Sequence, residues 1–357
     1  MNKQKTSVIV TFTVLTFLFL ASCKKKVETT QPSISEEVFV LNEGAFGNGN
    51  ASVSIFSRST NKMYNNLFTQ TNNRPIGDVL QSMTIANGKF YFVVNNSNKI
   101  EVTDNYPLTS TGTINGLSLP RYMAVINSTK AYVTEYVSYS STNGRISILN
   151  LTNNTISGTI STGTLPEQMI LSNGKIFACI SGQNKIAVID PSTDVVDSTI
   201  TASDGPTCMV KDVNGKIWVL CAGITVYGTN YSVISQSAGA LVRINPANGT
   251  IEAKYTFPVA DASGNPPRLS INGSKNMLYY IYNSAVYSQD ISATSVSTTP
   301  VINRAFYGLG IDSTSNTIYT GTYGFSSNQY MVRYTQSGTV IDSFEVGIGP
   351  NGFLFNY

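Results

Sequence analysis

The chain has 357 residues, no histidine and only 12% charged residues, with a formal net charge of +3. That length fits one large or two ordinary domains, and a composition rich in Tyr, Thr, Ser, Asn and Ile suits a β-rich exported protein rather than a disordered one. The missing histidine excludes Ser-His-Asp and Cys-His nucleophile systems, an axial haem histidine from this chain and most zinc sites, and a weak net charge without a clustered basic face argues against nucleic acid.

Residues 1–22 read as a signal peptide. Lys3 and Lys5 open the segment, an apolar run interrupted only by threonines spans 8–20, and small residues close it. The run is short for a membrane span. Leu20-Ala21-Ser22-Cys23 resembles the bacterial lipobox. That resemblance implies cleavage before Cys23 and acyl chains, palmitate among them, that hold the protein on a membrane. An ordinary cleaved signal with an incidental cysteine is the other reading. Residues 23–37 begin Lys24-Lys25-Lys26 and continue in Thr, Ser, Gln and Glu, with too few apolar residues to pack. They are expected to form a flexible tether. The lysines are either solvated linker or headgroup contacts. No clear acidic cluster follows the cysteine, so periplasmic and surface-exposed placement on the outer membrane of a bacterial envelope both stay open.

Beyond the tether one pattern recurs: strand, short turn, strand. It is clearest at 206–222 (PTCMVKDVNGKIWVLCA), 82–94 (SMTIANGKFYFVV) and 168–180 (QMILSNGKIFACI), with looser copies at 122–133, 269–281 and 309–319. Asn-Gly supplies the positive φ angles of a two-residue hairpin turn, and the flanking β-branched and apolar residues favour a pleated, half-buried surface. A second hairpin follows in each regular copy, as at 185–200 (KIAVIDPSTDVVDSTI), 145–160 and 241–255. The unit thus has four strands in about 40 residues, a mark of radial repetition. Taken in order, the blades are 75–119, 120–165, 166–205, 206–265 with an insertion, 266–304 and 305–349. The first copy, 37–73, lacks its innermost strand, and the tail 350–357 (PNGFLFNY) resembles the start of one. The expected fold is all-β: a seven-bladed β-propeller of four-stranded antiparallel blades over residues 38–357, with the first blade completed by the C-terminal strand. That closure removes the open seam. Eight blades is the alternative count.

The pattern resembles the YncE-like seven-bladed β-propellers over nearly all of the mature chain. Residues 39–56 (FVLNEGAFGNGNASVSIF), with Asn42-Glu43-Gly44 followed by Phe46-Gly47, resemble the opening blade of surface lipoproteins of Bacteroidetes type, a group that includes the cobalamin-capturing BtuG proteins. The resemblance implies a binding lipoprotein and makes a cobalamin-like corrinoid one candidate ligand.

Four cysteines leave three after acylation of Cys23: Cys179, Cys208 and Cys221. A two-residue turn at Asn214-Gly215 would set Cys208 directly opposite Cys221 in a non-hydrogen-bonded pair, with Cα atoms about 4.5 Å apart. That is the short end of disulfide geometry, and export permits the bond. A Cys208–Cys221 disulfide is therefore expected, with two packed thiols as the alternative. The same register leaves Cys179 opposite Gln168 as a free, buried small residue.

In a propeller the loops between the second and third strands, and between one blade and the next, emerge on one face around the channel. The loop 134–145 carries Tyr136 and Tyr139, 222–239 carries Tyr227 and Tyr231, 322–329 carries Tyr323 and Phe325, and 42–50 carries Phe46; Arg121, Tyr122, Gln168, Arg268 and Tyr307 stand where blades begin. Tyrosines offer flat contact area with a polar tip at low entropic cost. Such a face suits a large polar ligand with apolar surfaces: a corrinoid, a glycan or a peptide. Glu43, Glu135 and Glu167 are the candidate acid/base carboxylates, with a solvated or arginine-paired role as the simpler reading. No Walker loop, Rossmann glycine pattern or Cys-x-x-Cys pair occurs. No catalytic residue, metal or cofactor is expected. The leading expectation is a non-enzymatic lipoprotein that captures a small molecule or glycan and hands it to an outer-membrane transporter. The alternatives are a protein-docking scaffold and a propeller lactonase or lyase.

Overall fold

A computed structural model describes residues 36–140 and 142–357. The signal peptide 1–22, Cys23 with its lipid, and almost all of the tether 23–37 lie outside the described residues.

The described residues form seven antiparallel blades around one axis. The fold and the blade limits are those expected from the repeats. The first blade joins the two ends of the chain: Pro350–Phe355 lies innermost, followed outward by Glu37–Asn42, Ser52–Ser57 and Lys62–Tyr64. Its closing register pairs Val38 with Phe355 and Val40 with Phe353. The innermost strands of the next five blades are Leu80–Ala86, Pro120–Val125, Pro166–Ser172, Pro206–Lys211 and Arg268–Ile271, and that of the seventh is Gly308–Ile311. Two elements were not foreseen from sequence. A short helix, Leu67–Asn72, links the first blade to the second. The outer strand of the sixth blade shrinks to a single bridge between Val286 and Ile302, leaving that sheet with three strands.

No single core exists. Each blade has two apolar faces, and seven buried clusters fill the seven gaps between neighbours. The second strands are buried almost throughout, as in Lys175–Ile180 after its first residue, whereas outer strands such as Val195–Thr201 are largely exposed. The ring's stability is thus shared among interfaces, and the seventh-to-first interface, with Val38, Val40 and Phe56 against Tyr319 and Met331, depends on the closing strand.

The hairpin turns separate into two kinds. Asn87-Gly88 and Asn173-Gly174 both have two positive φ angles (52° and 72°, 49° and 72°), and they join directly paired Ala86–Lys89 and Ser172–Lys175. These are the expected two-residue turns. At Asn214-Gly215 only the glycine is left-handed, at 74°, and the outermost pair is Lys211 with Ile217. Asp212 is the reason. Its Oδ1 accepts the backbone N–H groups of Asn214 and Lys216, each at 2.9 Å, and its Oδ2 accepts the Trp218 indole N–H at 2.9 Å. The carboxylate draws a wider turn around itself, where Ala86 and Ser172 cannot.

That extra residue corrects the disulfide expectation. Cys208 faces Leu220, and Cys221 faces Pro206 across a bulge. The two sulfurs belong to different blade gaps: Cys208 packs with Trp218 and Leu220 toward the sixth blade, Cys221 with Val219 and Cys179 toward the fourth. All three cysteines are free and buried, and burial pushes the thiols of Cys208 and Cys221 up to about 12. A chain beginning at Glu36 should therefore give three titratable thiols in denaturant without reductant and almost none when folded at pH 8. One thiol after denaturation would restore the disulfide.

Glu37 opens the first strand at 1% exposure, and neither carboxylate oxygen has a hydrogen-bond partner among the described residues. Burial raises its pKa from the ordinary 4.5 to about 7, only partly offset by the Ser57 hydroxyl and the Arg58 guanidinium, with Glu36 adding to the rise. The folded state thus binds this proton more tightly than the unfolded chain. Its contribution is most favourable below pH 4.5 and is lost as the pH rises to about 7. Thermal melting of Glu37→Gln against the parent should show the variant gaining in relative stability from pH 4.5 to pH 8. A constant difference across that range would contradict the assignment.

Candidate functional site

The site is built where blades begin. The register slips between Leu80 and Ser82, Pro120 and Met123, and Pro166 and Met169, and again where Pro350 and Gly352 face Asn42 and Leu41. A bulge leaves an extra residue unpaired and re-aims its side chain. The residues so freed include Gln81, Arg121, Glu167 and Asn351. Arg268 and Tyr307 stand at the starts of the sixth and seventh blades.

These residues interlock across the axis in two groups. Arg121 donates to Gln81 Oε1 and, at 2.8 Å, to Glu167 Oε1; Tyr136 donates its hydroxyl to the same Glu167 oxygen, its ring 4.6 Å below the Arg121 guanidinium. In the second group Glu43 accepts the Tyr307 hydroxyl at 2.5 Å and the Asn351 Nδ2 at 2.7 Å. Asn351 Nδ2 also donates to the carbonyls of Leu80 (3.0 Å) and Gln81 (3.2 Å). Arg268 Nε donates to the Asn351 carbonyl at 2.9 Å. Burial opposes the Arg121 charge, but the Glu167 carboxylate beside it outweighs that and holds its pKa above the ordinary value. Burial first, then Glu43, pushes the Tyr307 phenol upward; burial and Glu167 do the same to Tyr136 and take Tyr122 to about 12. These phenols therefore stay protonated at neutral pH, Tyr136 and Tyr307 as donors, while the Tyr122 hydroxyl accepts from Gln81 Nε2 at 3.2 Å.

The polar groups floor a funnel of about 410 Å³ whose walls include Phe46, Asn95, Tyr139 and Phe325, with Glu43, Arg121, Arg268 and Tyr307 at its base. A second cavity of about 310 Å³ lies along the innermost strands and shares only Gln81 and Arg268 with the first. The loops 42–50, 134–145 and 322–329 thus reach one mouth.

Of the residues singled out in the sequence, Phe46, Arg121, Tyr139, Arg268, Tyr307 and Phe325 line the funnel. Tyr122 and Gln168 line the other cavity instead, where Gln168 Oε1 accepts the Met209 N–H at 3.0 Å. Tyr136 is 8% exposed, a strut behind the wall. Tyr323 stands at the rim, edge-on to Tyr307 and Phe325 at 5.7 and 5.6 Å. Tyr227 and Tyr231 do not line the funnel. The insertion folds on itself as a two-stranded hairpin, Thr225–Tyr227 with Val233–Gln236, and holds both tyrosines outside the funnel. Sequence reading passed over Gln81, Asn95 and Asn351 as site residues. Gln81 and Asn351 follow Leu80 and Pro350 as Arg121 follows Pro120, so aligning the copies would have found them.

The three candidate carboxylates are all engaged. Glu135 is paired with Arg145 at 2.9 Å, Glu167 with Arg121, and Glu43 with Tyr307 and Asn351. No group of three or more Asp, Glu or Cys side chains suited to a metal occurs among the described residues.

Residues 36–346 match the family described as Domain of unknown function (DUF5074), and the chain belongs to it. No curated protein matches the chain. Solved structures share the fold at low identity. A quinonprotein alcohol dehydrogenase-like protein of Bacteroides thetaiotaomicron is 15% identical, with 91% of this chain and 79% of that one covered and a TM-score of 0.66. The periplasmic gluconolactonase of Pseudomonas aeruginosa is 13% identical, with 90% and 99% covered at a TM-score of 0.65. A functionally unknown protein of Desulfotomaculum acetoxidans is 14% identical, with 90% and 99% covered at 0.64.

Asn351 is the keystone of the floor at 2% exposure. Asn351→Ala would leave Glu43 Oε1 without that donor and two buried carbonyls short of a partner, a cost of about 1–3 kcal/mol in urea unfolding. A loss below about 0.5 kcal/mol, the range of a neutral surface change, would show that the floor is not held through this amide.

Proposed function

We propose that this protein captures a polar ligand in the loop-face funnel and does so without turning it over. The observation behind the proposal is the convergence of Phe46, Tyr139 and Phe325, from three separate blades, over a floor of fixed polar groups. Phe46 is 67% and Tyr139 59% exposed, apolar surface that a purely structural role would bury. A concave site walled by aromatics with a few fixed polar groups below is the form small-molecule sites take, at about 300–1,000 Å³, and the funnel's 410 Å³ falls within it. That volume suits a short saccharide or a few side chains of a peptide, and only part of a corrinoid. The engagement of Glu43, Glu135 and Glu167 with donors supports binding over acid/base chemistry.

The placement of the funnel agrees with a lipid anchor at Cys23. The strand Glu37–Asn42 begins at the tether and ends beside Glu43 in the funnel. At about 3.3 Å per residue, Glu37 lies at the end of that strand away from the funnel. An anchor at Cys23 would keep the chain at an envelope membrane, where a captured ligand can pass to a transporter.

Calorimetric titration of the soluble domain with neutral and acidic oligosaccharides and with corrinoids tests this. Phe46→Ala, Tyr139→Ala and Phe325→Ala should each weaken the ligand that binds by about 3- to 10-fold, the scale of one aromatic contact. Tyr227→Ala and Tyr231→Ala should leave affinity unchanged. Full affinity in all three wall variants would move the site away from the funnel.

A further inference from the structure

The two arginines at the base of the funnel are not equivalent. Arg121 is neutralised by Glu167 at 2.8 Å. Arg268 takes part in no ion pair among the described residues. The carboxylate nearest in the network, Glu43, is held by Tyr307 and Asn351. Arg268 is fixed instead by two backbone carbonyls, Nε to Asn351 at 2.9 Å and Nη1 to Pro267 at 3.2 Å, with its guanidinium over the Tyr307 ring at 5.7 Å. A guanidinium carries five N–H donors. Two are used here, so the outer part of the fork, with Nη2, stays free while the side chain lines the funnel.

Burial disfavours this cation, and neighbouring groups, the Glu43 carboxylate among them, offset that cost without a direct ion pair, so the fork stays charged and open to an anion. Here its geometry is set before any ligand arrives, and a planar fork fits a carboxylate through two parallel N–H···O bonds. The groups around it match the remainder of a sugar acid. Phe46 and Phe325 offer faces for the apolar side of a pyranose ring, while Asn95 and Gln81 are buried and already bonded to Pro120, Tyr139, Tyr122 and Arg121, which leaves the Arg268 fork as the open polar group. We propose that Arg268 is the carboxylate-binding residue of the funnel, and that the captured ligand is an acidic saccharide rather than a neutral one. This rests on the capture reading above and narrows it to one ligand class.

The test uses the chain without its leader, titrated calorimetrically with oligogalacturonate, its methyl ester and the neutral galactose oligomer of equal length. The acid should bind at least about 10-fold more tightly than the ester or the neutral sugar, the scale of a hydrogen bond to a charged group. Arg268→Gln should bring acid affinity down to that of the ester and leave the ester unchanged. Arg268→Lys, which keeps the charge but loses the fork, should fall between them and also guards against a folding defect in the glutamine variant. Equal affinity for acid, ester and neutral sugar overturns the assignment of Arg268 while the capture reading stands. So does tighter binding of a corrinoid or a peptide carboxy-terminus that is sensitive to Phe46→Ala but indifferent to Arg268→Gln. If no saccharide, corrinoid or peptide binds the parent chain, both fall.

Discussion

The site depends on a backbone corner that recurs where blades begin. Val79, Leu119, Leu165, Gly205 and Gly349, each one residue before an innermost strand, all have positive φ, between 50° and 68°. In these five blades the carbonyl of that residue accepts the first N–H of the loop after the second strand: Asn95 on Val79, Tyr136 on Leu119, Ser181 on Leu165, Ala222 on Gly205 and Glu43 on Gly349, at 2.8–3.2 Å. One conformation thus performs two tasks. It drops the chain from the rim of one blade to the axis at the start of the next, and it ties down the loop that forms the funnel wall. Glycine adopts this conformation freely. Valine and leucine do so at a cost of order 1–3 kcal/mol, which persists only where the surroundings impose it. At Gly349 the requirement is also steric, since a Cβ there would come within 2.7 Å of the Phe325 ring.

The bulge that follows the corner explains how a ring of near-identical blades acquires a chemically diverse floor. The corner and the bulge belong to the scaffold, and only the side chain released into the channel differs: Gln81, Arg121, Glu167, Asn351. Because they come from different blades, neighbours on the floor are distant in sequence, as Glu43 and Asn351 are. The closing strand therefore does more than seal the seam. It delivers Asn351, whose amide bonds to the carboxylate of the first blade and to the backbone of the second.

What could be read in the sequence was what is local. Asn-Gly turns, alternating strands and the missing first strand gave the blade count, the blade limits and the closure, because each is decided within a dozen residues. The failures have non-local or side-chain causes. The Cys208–Cys221 register was lost to one carboxylate, Asp212, which widens a turn whose dipeptide alone reads as narrow. Tyr227 and Tyr231 sit on the insertion but do not line the funnel, and nothing in a loop's composition says whether it folds over the channel or onto itself. The outer strand of the sixth blade vanishes in 291–301, a run of Ser and Thr ending in Pro300 that offers little to pair. Gln81 and Asn351 were hidden because a floor residue is defined by its offset from the corner, not by its own chemistry.

In the proposed capture role, floor and walls divide the work of recognition. The floor is hydrogen-bonded and set on or beside strand ends, so its geometry is costly to change; the walls are aromatics on loops, Phe46 and Tyr139 exposed and Phe325 half-buried, which tolerate replacement. The phenols of Tyr122, Tyr136 and Tyr307 are pushed upward and the chain has no histidine, so all three keep their protons across the neutral range, Tyr136 and Tyr307 as donors. The floor then supplies a constant field, with Arg121 paired to Glu167 and Arg268 near Glu43 without a direct ion pair. In that proposed role, related chains that keep the corner could exchange Phe46, Tyr139 or Phe325 and change which ligand fits, while the residue at position 268 would decide what charge that ligand carries.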